Sequence, residues 1–162
     1  VWDKVLQKIS LEGVERLLIL GMGGGSSIEL LRTKYHYPGK IVAVELDPVI
    51  VDIAAREFGI KKNKDLNILC MDAFVYVKKR SRAFDLVLVD LFIDHRVPDE
   101  ILKPDFWTAL AKKINTGGQV LFNAFEDVDQ LKIISEALQA EGMSTRLYAK
   151  VNGANTVLYA RK

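Results

Sequence analysis

Four glycines and three carboxylates are the residues of this sequence whose types and spacing suit chemistry. Gly21, Gly23, Gly24 and Gly25 fall within five residues, with Met22 among them, in the row LGMGGGSSIELL. Glycine weakens strand and helix interiors, so packing gives no reason for four together, whereas a ligand that must approach backbone amides does. The row fits G-x-G-x-x-G only in part, since Gly21 and Gly23 match but Ser26 stands where the third glycine or alanine belongs. No Lys followed by Ser or Thr closes it, which excludes a Walker-type phosphate loop. The carboxylates are Glu45 in VAVELDP, Asp72 in CMDAF and Asp90 in LVLVDLF, each closing or directly following a short apolar run.

Those apolar runs are the elements that must position them. Residues 16–22, 40–46, 66–71, 84–91 and 118–124 are rich in branched side chains and read as strands buried on both faces. Helical segments are expected at Ser26 to Lys34, Pro48 to Phe58, Ala73 to Arg80, Pro104 to Ile114 and Val128 to Glu141, with an amphipathic helix at Trp2 to Ile9. Asp47 is placed to cap the helix that Pro48 begins, and Gly117 with Gly118 is expected to end the fourth helix. Residues 144–151 and 155–161 lack a helix between them, so they should pair antiparallel around Asn152, Gly153 and Ala154. The fold class is therefore α/β: a doubly wound, mostly parallel, seven-stranded Rossmann-like sheet with a C-terminal antiparallel hairpin.

In such a sheet ligands sit beyond the carboxyl ends of the strands, where strand order reverses, and the glycine row and all three carboxylates belong at that rim. Glu45 at the second strand's end suits the two hydroxyls of a ribose, a need that nicotinamide and adenosyl ligands share. An acidic rim repels a pyrophosphate and suits a sulfonium cation, so electrostatics favours S-adenosylmethionine or a relative over NAD.

Composition bounds the rest. A chain of 162 residues with 49% apolar and 27% charged residues has the makings of one soluble domain, and residues 1–162 are expected to form it. With 23 basic against 21 acidic residues, no whole-chain field draws it to nucleic acid or anionic membrane, so neither is expected as a partner; a homodimer stays open. Cys70 is the sole cysteine, expected as a small buried residue; it allows no intrachain disulfide and points to a reducing, cytoplasmic setting. No apolar run is long enough to span a bilayer, no signal peptide opens the row, and no His or Cys cluster has metal-ligand spacing. The row opens on Val1, which fits a piece of a longer chain. The basic run Lys78 to Arg82 reads as a helix C-terminus, where positive charge suits the dipole, and His95 as a loop residue.

In this order LGMGGGSS, VAVELDP, CMDAF, FDLVLVDLF and GGQVLFN, followed by a hairpin, resemble a class I S-adenosylmethionine-dependent methyltransferase domain, and within it the spermidine synthase-like branch. The resemblance implies that Gly21, Met22, Gly23, Gly24 and Gly25 hold the methionine portion of S-adenosylmethionine or its decarboxylated form. Glu45 would bind the ribose with Leu46 against the adenine; Asp72 would accept from the adenine amino group, with Ala73 close by. Asp90 would lie beside the sulfonium and serve as the catalytic residue. The row Asp90 to His95 departs from the D-S/T-S/T-D-P of aminopropyltransferases by one extra residue and the lack of hydroxyls, and too few residues precede the first strand to supply those enzymes' N-terminal β-rich domain. The first expectation is thus a methyltransferase acting on a small-molecule or protein acceptor. Its rivals are an aminopropyltransferase acting on a polyamine, a non-catalytic binding domain and, last, an NAD-linked oxidoreductase. The loop from Asp90 to Glu100 also holds Asp94 and Asp99 against Arg96, a setting that suits a cationic amine.

Overall fold

The computed structural model describes residues 1–92, 98–124, 128–151, 153 and 155–162. Seven strands form one sheet in the order β3-β2-β1-β4-β5-β7-β6. They are β1 (Arg16–Leu20), β2 (Lys40–Glu45), β3 (Leu66–Cys70), β4 (Phe84–Val89), β5 (Ile114–Ala124), β6 (Ser144–Val151) and β7 (Asn155–Arg161). The first five run parallel, while β7 lies antiparallel to both β5 and β6, as the two runs without a helix between them required. The order of the parallel strands reverses between β1 and β4, which locates the crevice.

Side chains alternate across the sheet and feed two cores. Leu17 and Ile19 of β1 face one way, onto α1 (Trp2–Leu6), α2 (Ser26–Thr33) and α3 (Pro48–Glu57). Leu18 and Leu20 face the other, onto α4 (Ala73–Lys78), α5 (Pro104–Ala111) and α6 (Val128–Ala140). Because both faces are covered, β1 and β4 are apolar almost throughout, the pattern that marked them as strands. Asp47 caps α3 by accepting from the Val49 amide at 2.8 Å, with Pro48 in the first turn, an interaction that stabilises a helix by about 1 kcal/mol. At the opposite end of the sheet burial pushes the Asp85 carboxyl up, but hydrogen bonds from Asn115 Nδ2 and the Arg16 and Glu15 amides outweigh it and hold the group below the usual carboxylate range.

Two expectations need correction. Gly117 and Gly118 do not end the fourth helix: α5 stops at Ala111, and the chain re-enters the sheet at once, Ile114 pairing with Phe84. The glycines instead sit within β5 where its register shifts against β4, and a Cβ on Gly118 would stand 2.7 Å from Ile114 Cγ2. Cys70 is exposed rather than buried, because β3 is the sheet's edge strand and its last residue meets solvent. No described helix is long and apolar enough to cross a membrane. The basic run from Lys78 to Arg82 does begin at the C-terminus of α4. Residues 93–97, with Asp94, His95 and Arg96, lie outside the described residues, as do Asn152 and Ala154.

Candidate functional site

A cavity of about 630 Å³ opens at the carboxyl ends of β1, β2, β3 and β4. Of the residues singled out in the sequence, Gly21, Met22, Gly23, Gly24, Glu45, Leu46, Asp72, Ala73 and Asp90 all line it. Gly25 does not; it is the N-cap of α2, with φ of 87°. The glycines divide accordingly. A Cβ on Gly21 would lie 2.2 Å from the Asp90 carbonyl oxygen, and one on Gly25 would lie 2.7 Å from Ile60, so two of the four are required by close packing, contrary to the sequence expectation. Gly23 and Gly24 are the open pair: among the described residues nothing would stand nearer to a Cβ on either than the Phe58 ring, 3.5 Å from that of Gly24.

Each carboxylate is fixed by donors of its own neighbourhood. Glu45 Oε2 accepts from the Gly23 amide at 2.8 Å and Oε1 from the Asp47 amide at 3.0 Å, so it ties the glycine loop to the start of α3 while lining the cavity. Asp72 caps α4: Oδ1 accepts from the Phe74 amide at 2.5 Å and the Val75 amide at 3.2 Å, and Oδ2 takes no hydrogen bond from a described residue. Asp90 accepts from the Trp2 indole on Oδ2 and from Asn123 Nδ2 on Oδ1, both at 2.8 Å. Asn123 in turn accepts from Asn155 Nδ2 at 3.0 Å. Glu100 completes the acidic wall from a 3₁₀ turn, Asp99–Leu102.

None of the described lining residues is cationic. Ile50, Met71, Phe74, Leu91, Phe92 and Pro98 supply an apolar remainder, suited to a flat purine. No group of three or more His, Cys, Asp or Glu among the described residues is arranged to hold a metal ion. Sequence reasoning missed Trp2 and Asn123. The signal for Asn123 was present, since an amide inside the apolar run VLFNA must find a partner once buried. For Trp2, taken only as part of a packing helix, the row carried no such signal.

The spermine/spermidine synthase domain model matches residues 6–154. The chain belongs to that family. Among curated relatives of the family, a probable polyamine aminopropyl transferase of Bifidobacterium longum is 30% identical over 152 residues, covering 90% of this chain and 33% of the relative. The first relatives matched are covered over only 23% to 38% of their own length. Among solved structures, human methyltransferase-like protein 13 in complex with SAH superposes with a TM-score of 0.75 at 20% identity, covering 98% of this chain and 77% of that one. Spermidine synthase from Thermotoga maritima gives 0.70 at 17%, covering 93% and 55%. At these identities the structural likeness shows the fold, a Rossmann-like methyltransferase sheet with the antiparallel hairpin expected of the sequence.

Proposed function

We propose that this domain binds decarboxylated S-adenosylmethionine and directs its aminopropyl group onto a cationic amine. Four carboxylates, Glu45, Asp72, Asp90 and Glu100, around a cavity with no described cationic lining residue carry this reading. Decarboxylated S-adenosylmethionine brings a sulfonium and a primary ammonium and no carboxylate, so its charge complements that wall better than the zwitterionic parent does. This reverses the order of the first expectation, which put methyl transfer ahead. The family match and the polyamine aminopropyltransferases among the relatives support the reversal.

In this reading Gly23 and Gly24 leave room for the donor's aminopropyl arm, Glu45 takes the ribose hydroxyls, Leu46 covers the adenine, and Asp72 with Ala73 meets its amino edge. Asp90 holds the attacking amine. The donor supplies an electrophilic carbon and a thioether leaving group. The acceptor's reacting nitrogen enters as an ammonium and first gives one proton to solvent by way of the Asp90 carboxylate. Its freed lone pair attacks the methylene bound to sulfur, the C–S bond breaks with its electrons to sulfur, and the product nitrogen carries the positive charge as a secondary ammonium. Positioning of the amine and an anion beside the reacting nitrogen are then the chain's main contributions.

Titration calorimetry with both sulfonium nucleosides tests the proposal. The decarboxylated form is expected to bind at least about tenfold tighter, equivalent to 1.4 kcal/mol, and to release methylthioadenosine when 1,4-diaminobutane is added. Tighter binding of S-adenosylmethionine with no release would overturn it. In the same assay Glu45→Gln, which removes the charge and keeps the carbonyl oxygen, is expected to weaken donor binding about five- to tenfold, with a small change in the unfolding midpoint.

A further inference from the structure

Asp90 ends a chain of hydrogen bonds with a single sense. Asn155 Nδ2, at the first residue of β7, donates to Asn123 Oδ1; Asn123 Nδ2, near the end of β5, donates to Asp90 Oδ1; and Trp2 Nε1, at the first residue of α1, donates to Asp90 Oδ2. Because Asn155 occupies the amide oxygen of Asn123, the Asn123 amino group must face the carboxylate. Trp2 is 8% exposed and Asn123 6%, so both donors are held by packing rather than by solvent. Both are neutral, and no described cation forms an ion pair with Asp90. The carboxylate is thus fixed in plane and rotation by donors on α1 and β5, the latter held in turn by β7, and no described residue supplies a counter-ion to its negative charge.

Resting on the aminopropyl-transfer reading, we propose that Trp2, Asn123 and Asn155 are positioning residues for Asp90, and that α1 is thereby part of the transfer site. A carboxylate with one fixed donor on each oxygen offers its remaining lone pairs in one direction. An amine that donates to them is held in one orientation, so that once it has lost its extra proton its lone pair faces the donor's methylene. Loss of either neutral donor frees the carboxylate to rotate and spreads the amine over several orientations. The rate of transfer then falls more than the binding of the nucleoside, which touches neither donor.

The test combines turnover with an independent reading of the network. Trp2→Phe and Asn123→Leu are each expected to lower kcat about ten- to a hundredfold, the scale of a lost hydrogen bond to a charged group, while the dissociation constant for decarboxylated S-adenosylmethionine changes less than about twofold. In an Asp90→Ala background both substitutions are expected to change kcat by less than about twofold, because their action runs through the carboxylate. Unchanged kcat in the single variants, or an equal loss with and without Asp90, would overturn the proposal. The indole N–H proton resonance of Trp2, assigned by its disappearance in Trp2→Phe, is expected to move upfield in Asp90→Ala; an unmoved resonance also overturns it. That resonance needs no turnover, so a wild-type chain that transfers nothing refutes the aminopropyl reading and with it the role in transfer, while the resonance still reports whether the hydrogen bond to Asp90 exists.

Discussion

Trp107→Ala is expected to lower the unfolding free energy by about 3–5 kcal/mol, read as a shift of the urea midpoint at unchanged slope. Trp107 is fully buried at the centre of α5 and sits in an aromatic row, 5.1 Å from the Phe106 ring and 5.2 Å from the Phe122 ring. Phe106 continues that row to Phe74, 5.0 Å away, and Phe74 lines the cavity. The cost has a second part, because Trp107 Nε1 donates to the Ile101 carbonyl at 2.6 Å inside the core and truncation orphans that oxygen. Trp107→Phe keeps an aromatic ring in the row but removes the donor and part of the indole's volume, so its loss is expected to be smaller than that of Trp107→Ala, about 1–3 kcal/mol. Ile101 belongs to the 3₁₀ turn that carries Glu100, so Trp107→Ala is also expected to loosen the acidic wall and weaken nucleoside binding in calorimetry at temperatures where the variant is still folded. Equal midpoints for wild type and Trp107→Ala would remove this residue from the core's account.

The elements were legible in the sequence to within a few residues because each signal is local. Branched apolar runs, an aspartate before Pro48 and a hairpin without an intervening helix all act over short stretches of chain. The rim was legible for the same reason: once strands are placed, Glu45, Asp72 and Asp90 fall at their carboxyl ends. What the row could not show was pairing across distance. Trp2 lies 88 positions from Asp90 and meets it only because α1 packs against the sheet face next to β1 and β4. Cys70 went the other way for a related reason, since an edge strand and a central strand can carry the same apolar run. The two glycines with packing roles belong here too. Gly21 lies against the backbone at the end of β4, a neighbour 69 positions on that no reading of LGMGGGSS alone supplies.

Gly21 and Gly23 separate packing from ligand contact, and alanine at each is expected to fail differently. In Gly21→Ala the new methyl would stand 2.2 Å from the Asp90 carbonyl oxygen and 2.8 Å from its carbon, both backbone atoms of a central strand end that cannot rotate away. The φ of 84° adds strain of about 1–3 kcal/mol for any residue with a Cβ. The β1–β4 junction must open, and Asp90 moves with it, so the variant is expected to lose at least about 3 kcal/mol of stability together with nucleoside binding. Gly23→Ala meets no atom of a described residue within 4 Å, and its amide still reaches Glu45 Oε2, so only the strain of φ 53° remains, about 1 kcal/mol. Its unfolding midpoint should therefore stay near that of the wild type. Yet its methyl projects into open space beside a residue of the cavity wall, where the proposed donor arm lies, and binding of decarboxylated S-adenosylmethionine is expected to weaken more than tenfold, by over 1.4 kcal/mol. A Gly23→Ala variant that binds the nucleoside like wild type would place the arm elsewhere, and a Gly21→Ala variant as stable as wild type would contradict the close approach of β1 and β4 on which the whole rim depends.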